Sequence, residues 1–329
     1  IFIMKNNKYL LMVDEGIKNW NQGNLKKAKA IFLKAKKIDL NYEVTSFLGV
    51  IELQQNNFAL GISNLEESYS MNPKSSLTTD NLASGYLNYG LQLIEERRIQ
   101  DGQELFLKAI KIKPNFAEVY FNLGKVLYDI KDYIEALKFL NKAVEIKPDI
   151  FQSYNLIGLI YKNNNQPKKA ITFFQKSLQY NPHNFDAQHN LGNCYSELKD
   201  YREAIKIYKN LINTDKKKYS YLYSDILHLK KCEYSWGDYD FYLNEINEFI
   251  NKTNGYVNNF NLLSISDNLS LLQKNAKKTS KAIYPKLPLN VKLKNENNKI
   301  KIAYFSLDFK DHAVGRLVKN LFKNHNRKK

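Results

Sequence analysis

The sequence has few cysteines and no long apolar run. Only two of its 329 residues are cysteines, Cys194 and Cys232, which are too few for a disulfide framework and fit a reducing compartment. No apolar run approaches the ~18 residues of a membrane-spanning helix. Lys5, Asn6 and Asn7 interrupt the apolar start, so we expect no cleaved signal and no membrane partner. Together these absences predict a cytoplasmic protein.

Arginine is also scarce, which bears on the high positive charge. The sequence carries 50 Lys and Arg against 33 Asp and Glu, a formal net charge of +17, yet only five of these residues are Arg. Nucleic-acid sites favour Arg because its guanidinium group makes bidentate contacts. The excess charge is also local, because residues 271–329 carry a net +13 and residues 1–270 only +4. We therefore expect no nucleic-acid partner.

The sequence does contain a repeat of 34 residues. Glycines recur at this step, and so do prolines: Gly90, Gly124, Gly158 and Gly192, then Pro114, Pro148 and Pro182. A small residue and a large one stand between each glycine and the end of its repeat: Gly102 and Phe106, Ala136 and Leu140, Ala170 and Phe174, Ala204 and Tyr208. The small residues allow two helices to approach closely, the large one fills the groove between repeats, and the proline ends the second helix.

This pattern is typical of tetratricopeptide repeats, which stack into a solenoid. It predicts an all-α fold, a right-handed superhelix of six repeats over residues 9–218. The two N-terminal copies are weaker, and a short insertion at about 76–82 precedes the third. The predicted repeats are 9–41, 42–75, 83–116, 117–150, 151–184 and 185–218.

The sixth residue, counted from the start of each predicted repeat, is asparagine in three of the four strong copies: Asn88, Asn122 and Asn190. A side-chain amide can both donate to and accept from a peptide backbone, whatever side chains the peptide carries. These residues therefore predict a column that binds acceptor proteins or extended peptides on the concave face of the solenoid. Leu156 interrupts the column, and with 41 asparagines in the chain some coincidence is expected.

A zinc site is not expected in the repeats, because the spacing of His183, His189 and Cys194 suits zinc poorly. We predict that these three residues belong to the repeat core. Asp238 and Asp240 match the Asp-x-Asp metal motif, but they stand in a turn between predicted helices. We expect no metal site and no cofactor site in this chain.

The residues after the repeats divide into three predicted parts. Residues 219–285 have a helical spacing of apolar residues and form a helical transition region. Residues 286–298 are rich in Lys and Asn and form a linker. Residues 299–329 begin with KIKIAYFSLDF, which predicts a strand followed by a helix. Because a lone strand has no partner to pair with, we expect the chain to be cut short within a larger domain.

Three segments resemble one enzyme family. Residues 232–240 (CEYSWGDYD), 259–277 (NFNLLSISDNLSLLQKNAK) and 300–317 (IKIAYFSLDFKDHAVGRL) are similar to protein O-linked N-acetylglucosamine transferases, in particular to the bacterial, Spindly-like branch. That family joins a tetratricopeptide superhelix to a two-lobed GT-B glycosyltransferase. The resemblance implies that residues 299–329 are the first strand and helix of the catalytic N-lobe.

The resemblance also implies functional residues. It places His312 at the family's active-site histidine, in the loop after the first strand. The parent enzyme would take a nucleotide-sugar donor, with N-acetylglucosamine and fucose both open, and transfer the sugar to protein Ser or Thr. Because the second lobe binds the donor, this chain alone is predicted to be inactive. The alternative is a non-catalytic tetratricopeptide scaffold for protein–protein interaction, and a homo-oligomer remains open under either interpretation.

Overall fold

The computed structural model of the protein describes residues 2–283, and within that range every regular element is an α-helix. The prediction of an all-α solenoid is confirmed for these residues. No helix among them is both long and apolar enough to cross a membrane. The predicted linker, the strand–helix unit at 299–329 and His312 lie outside the described residues. The helices are α1 (Phe2–Asn21), α2 (Leu25–Ile38), α3 (Tyr42–Gln54), α4 (Phe58–Met71), α5 (Ser76–Glu95), α6 (Ile99–Ile112), α7 (Ala117–Asp129), α8 (Tyr133–Ile146), α9 (Phe151–Asn163), α10 (Pro167–Tyr180), α11 (Phe185–Glu197), α12 (Tyr201–Thr214), α13 (Lys216–Tyr219), α14 (Leu222–Cys232), α15 (Tyr239–Lys252), α16 (Asn259–Ile265) and α17 (Leu269–Ile283).

The first twelve helices form six pairs, and in each pair a glycine of the first helix faces a large side chain of the second. A Cβ atom added to Gly158 would lie 2.7 Å from Cε1 of Phe174, and one added to Gly192 would lie 2.5 Å from Cε1 of Tyr208. The close approach predicted from the 34-residue step is therefore confirmed. The six pairs are Gly16 with Phe32, Gly49 with Leu65, Gly90 with Phe106, Gly124 with Leu140, Gly158 with Phe174, and Gly192 with Tyr208.

The turn inside each pair repeats one backbone geometry. Lys131, for example, has a φ of 67°, in the left-handed region. The next residue, Asp132, donates its backbone N–H back to the carbonyl oxygen of Leu127 at 2.9 Å. This Schellman closure satisfies carbonyl groups that the end of the first helix would leave unpaired. The left-handed residues of the six turns are Gly23, Asn56, Arg97, Lys131, Asn165 and Lys199.

The prolines end the second helices as predicted. Helix α8 ends at Ile146 and α10 ends at Tyr180, in each case two residues before the proline. Proline cannot continue a helix because it lacks the N–H group and disfavours a helical conformation in the residue before it. Pro167 stands instead at the first position of α10, where no N–H group is required.

The insertion predicted at 76–82 lengthens a helix. Helix α5 has 20 residues, whereas α7, α9 and α11 have 13 each. Within the added turns Thr78 and Leu82 are buried, and the Thr78 hydroxyl donates to the carbonyl oxygen of Asn72 at 2.7 Å. Leu82 packs in one core cluster with Ile62 and Leu65 of the preceding pair. The extra residues therefore widen the contact between two repeats.

A seventh helix pair, α14 and α15, follows the six. Tyr234 has a φ of 57°, and Ser235 donates its N–H to the carbonyl oxygen of Lys230 at 2.9 Å, which is the same turn closure. Ile226 of α14 and Ile246 of α15 are fully buried in one cluster with residues of α12. Helix α15 starts five residues after its left-handed residue, Tyr234. Helix α12 starts only two residues after its own, Lys199. These three extra residues, together with the absence of a glycine from α14, explain why the 34-residue step gives no signal for this pair.

Candidate functional site

The asparagines predicted to bind peptide lie on the first helices of their pairs. Asn88 is exposed on α5, and Asn122 on α7 and Asn190 on α11 are each partly exposed. Leu156 stands at the equivalent position of α9. The three amide groups are therefore on equivalent helices and accessible to a ligand.

The amide groups make few contacts of their own. The Asn122 side chain donates one N–H to the carbonyl oxygen of Glu118 at 2.7 Å, one turn earlier in the same helix. The oxygen of Asn190 accepts from the ammonium group of Lys162 at 3.4 Å. An amide has two donor hydrogens and an oxygen with two lone pairs. Asn122 and Asn190 therefore each keep both donor and acceptor capacity for a backbone.

Asn155 does not fill the gap that Leu156 leaves in the column. Its Oδ1 atom is buried and has no hydrogen-bond partner among the described residues. The column therefore remains interrupted at α9, between Asn122 and Asn190.

A cleft of about 800 Å³ with both polar and aromatic walls lies beside the last repeat, and sequence reasoning did not find it. We call it the Asp225 cleft. It is lined by residues of α11, α12, α15 and α16, by the residues from Tyr221 through α14 and by the segment 254–258. Its residues are His189, Asn193, Ser196, Tyr208, Tyr221, Asp225, His228, Leu229, Phe249, Asn254, Gly255, Tyr256, Val257, Asn258 and Asn261.

Asp225 is the acidic residue of the cleft. Its Oδ1 atom accepts a hydrogen bond from the side-chain amide of Asn261 in α16. Burial raises the pKa of Asp225 to about 6, because a charged carboxylate loses solvation there, and the bond from Asn261 opposes this rise only in part. A perturbed carboxyl group in a cleft is typical of functional sites.

The two histidines of the cleft are neutral near pH 7. Burial lowers the pKa of both His189 and His228, and the neighbouring Lys162 and Lys231 respectively act in the same direction. The His189 ring packs against Tyr208 and Tyr221, with centroids 6.2 and 6.0 Å apart.

The assignment of both repeat histidines to the core was wrong. His189 is partly exposed and lines the cleft. His183 is exposed in the turn before α11, with its ring edge against Phe185. Cys194 is fully buried as predicted, and burial raises the pKa of its thiol to about 11.

The segment 254–258 is held in place by a buried amide. Asn275 of α17 is fully buried, and its side chain accepts from the backbone N–H of Val257 at 2.9 Å and donates to the carbonyl oxygen of Val257 at 3.0 Å. Gly255 packs directly on Phe249, since an added Cβ would lie 2.2 Å from Cζ of that ring. This wall of the cleft is therefore ordered by specific contacts. The sequence offered no signal for it, because asparagine is abundant throughout the chain.

Two of the segments that resemble glycosyltransferases pack against each other. The hydroxyl of Tyr239 donates to the carbonyl oxygen of Ile265 at 2.5 Å, which joins the segments 232–240 and 259–277. Asp238 forms an ion pair with Lys230 at 2.6 Å. The third segment, 300–317, lies outside the described residues.

Comparison with family models identifies the repeats. Three models of the tetratricopeptide repeat match residues 19–42, 117–150 and 163–226. The chain therefore contains tetratricopeptide repeats. The resemblance to glycosyltransferases rests on the three quoted segments, since all three matched models describe repeats. No curated protein matches the sequence.

Several solved structures are similar to this chain. PilF of Pseudomonas aeruginosa is 17% identical, with a TM-score of 0.47, and the match covers 64% of this chain and 93% of that one. YrrB, described as a TPR protein with an unusual peptide-binding site, is 16% identical, with a TM-score of 0.44 and coverage of 56% and 92%. MamA of Desulfovibrio magneticus RS-1 is 21% identical, with a TM-score of 0.43 and coverage of 53% and 95%.

Proposed function

We propose that this chain is a protein–protein interaction module that holds an extended polypeptide along the first helices of its repeats, in the cytoplasm. The observation that carries the proposal is the placement of Asn88, Asn122 and Asn190 on α5, α7 and α11, each with an accessible amide group. Amides that recur once per repeat can pair with a peptide backbone independently of its sequence. The exposed backbone of an extended segment supplies matching donors and acceptors.

A finer proposal is that the module recruits acceptor proteins for a protein O-glycosyltransferase. The order of the three resembling segments behind the repeats supports it, as does the contact between Tyr239 and Ile265 that joins two of them. In this proposal His312 belongs to the active site, and a nucleotide-sugar donor binds residues beyond those of this chain. The purified chain is then expected to transfer no sugar from UDP-N-acetylglucosamine to peptide.

The second candidate is a scaffold without catalytic lobes, and the family models, all of which describe repeats, agree equally with both candidates. The two candidates differ in the coding sequence downstream of Lys329. Further strand–helix units and a second lobe support the recruiting arm, and a stop codon supports the scaffold.

Peptide binding is tested with a pool of fluorescein-labelled 20-residue peptides of random sequence, selected on the immobilised protein and then measured singly by fluorescence anisotropy. The test variant replaces Asn88, Asn122 and Asn190 with Ala. Each lost amide contact is worth about 0.5–1.5 kcal/mol, so the Kd should rise at least about tenfold. The melting temperature should change little, because none of the three side chains is buried.

The matched control replaces three exposed asparagines of the second helices, Asn141, Asn210 and Asn213, with Ala. It removes the same number of amide groups from the other face of the pairs and should leave the Kd unchanged. Equal affinity of the test variant and the wild type would contradict the proposed function of the column.

A further inference from the structure

The Asp225 cleft has one negative charge and no positive one. Asp225 is the only acidic residue among the lining residues, and none of them is Lys or Arg. The two histidines, His189 and His228, have lowered pKa values and are neutral near pH 7. Once Asp225 is ionised, its charge has no counter-charge within the cleft.

The nearby cations are engaged with other groups. The ammonium group of Lys231 donates to the carbonyl oxygen of Ser264, and that of Lys162 donates to Asn190. The polar partner of Asp225 among the described residues is the neutral amide of Asn261. A partly buried carboxylate without an ion pair is costly to the folded state, so an external cation would stabilise it.

The remaining walls of the cleft suit a cation attached to a peptide. The aromatic rings of Tyr221, Phe249 and Tyr256 line it, and the faces of such rings attract cationic groups. The amides of Asn254 and Asn258 also line it and can pair with polar groups of a peptide backbone. A volume of about 800 Å³ accommodates a long side chain together with adjoining backbone.

The cleft continues the asparagine column. His189 and Asn193, both lining residues, flank Asn190 on α11, one residue before and three residues after it. Residues three or four apart on a helix are neighbours on its surface. A polypeptide that pairs with Asn190 is therefore brought to the opening of the cleft.

We propose that the Asp225 cleft binds an arginine side chain of the polypeptide held by the repeats. The guanidinium group pairs with the Asp225 carboxylate and stacks on the aromatic walls. Arginine is favoured over lysine because its planar group stacks on rings and donates two parallel hydrogen bonds to one carboxylate. This proposal adds a side-chain specificity to the proposed function and rests on it.

The test compares four residues at each position of one peptide, on the wild-type protein and on two variants. A peptide selected as above is synthesised with arginine, lysine, citrulline or norleucine at each position in turn. The arginine peptide should bind at least about tenfold tighter than its citrulline counterpart, which has nearly the same shape but no charge. The variant Asp225→Asn, which keeps an acceptor for Asn261, should lose this preference. The control Asp129→Asn, an equal charge change at the exposed end of α7, should keep it.

The preference should also decline as the pH falls below about 6, where Asp225 is protonated. The titratable groups that share the cleft with it are His189, Tyr208, Tyr221, His228 and Tyr256. Protonation of either histidine would act in the same direction, and Asp225→Asn separates the effects because it retains both histidines.

The outcomes distinguish the two proposals. If peptides bind through the asparagine column without any preference for arginine, the proposed function stands and the arginine pocket is wrong. If no peptide binds to the wild type, the proposed function is wrong. The pocket is then probed directly with N-acetyl-arginine methylamide by saturation-transfer NMR. A signal in the wild type that Asp225→Asn abolishes would support the pocket, and an equal signal or none in both proteins would overturn it.

Discussion

The hydroxyl group of Tyr208 donates a hydrogen bond to the side-chain oxygen of Asn193 at 2.7 Å. Tyr208 stands where the earlier pairs have Phe106, Leu140 and Phe174, and like them it packs against a glycine of the first helix. Its ring therefore fills the space between two helices while its hydroxyl reaches a lining residue of the Asp225 cleft. Burial raises the pKa of this hydroxyl far above its ordinary value, so it stays a neutral donor.

Replacing Tyr208 with Phe should remove this hydrogen bond and keep the packing, because phenylalanine occupies the equivalent position in other pairs. We expect a loss of about 0.5–1.5 kcal/mol in the free energy of unfolding. Urea denaturation followed by circular dichroism measures it. Tyr234→Phe, which removes a hydroxyl from a side chain that is 86% exposed, should have no effect. Equal stabilities of the two variants would argue against a role for the bond.

Gly158 should not tolerate even a methyl group. The added Cβ of Gly158→Ala would lie 2.7 Å from Cε1 of Phe174, whose side chain is fully buried and cannot move aside freely. Overpacking of this kind costs about 1–3 kcal/mol, against a gain of up to about 1 kcal/mol in helix propensity. We therefore expect a lower melting temperature. Gly237→Ala is the control, since nothing lies within 4 Å of its added Cβ, and a melting temperature unchanged in both variants would contradict the expectation.

Asn275 should be as important for stability as a core residue. The variant Asn275→Ala leaves the N–H and the carbonyl group of Val257 without their partner, and both belong to a residue that is only 1% exposed. Each unpaired buried group costs about 1–3 kcal/mol, so a loss of at least about 2 kcal/mol is expected in urea denaturation. The amide hydrogen of Val257 should also exchange faster with solvent. Asn244→Ala on the exposed side of α15 should change neither measurement.

The sequence was informative wherever one spacing governed the contacts. The pair Gly158 and Phe174 could be predicted because the 34-residue step places a glycine and a large residue at fixed positions in every copy. The seventh pair could not, because α14 contains no glycine and three extra residues after Tyr234 displace α15 from that step. The Asp225 cleft could not be predicted either, because its residues come from six separate stretches of the chain that share no spacing. Tyr208 was identified only as a groove-filling residue, and its hydroxyl acquires a second contact through the tertiary fold.

Asp225 should make the stability of the protein depend on pH. Its pKa in the folded protein, about 6, lies above the ordinary value of an aspartate near 4. The folded state therefore holds the proton more tightly than the unfolded state, and this stabilisation is full below about pH 4 and lost as the pH rises through 6. The difference corresponds to at most about 3 kcal/mol.

The variant Asp225→Asn lacks this titration, so its unfolding free energy relative to the wild type should increase between pH 4 and pH 7. The lowered pKa values of His189 and His228 make the folded state more stable as the pH rises, which is opposite to the effect of Asp225. Both proteins contain these histidines, so their effect cancels in the difference. Urea denaturation of both proteins at half-unit pH steps measures the curve. A difference in unfolding free energy that stays constant over this range would show that Asp225 ionises normally. Saturation with the arginine peptide should flatten the curve, because a bound cation favours the ionised carboxylate.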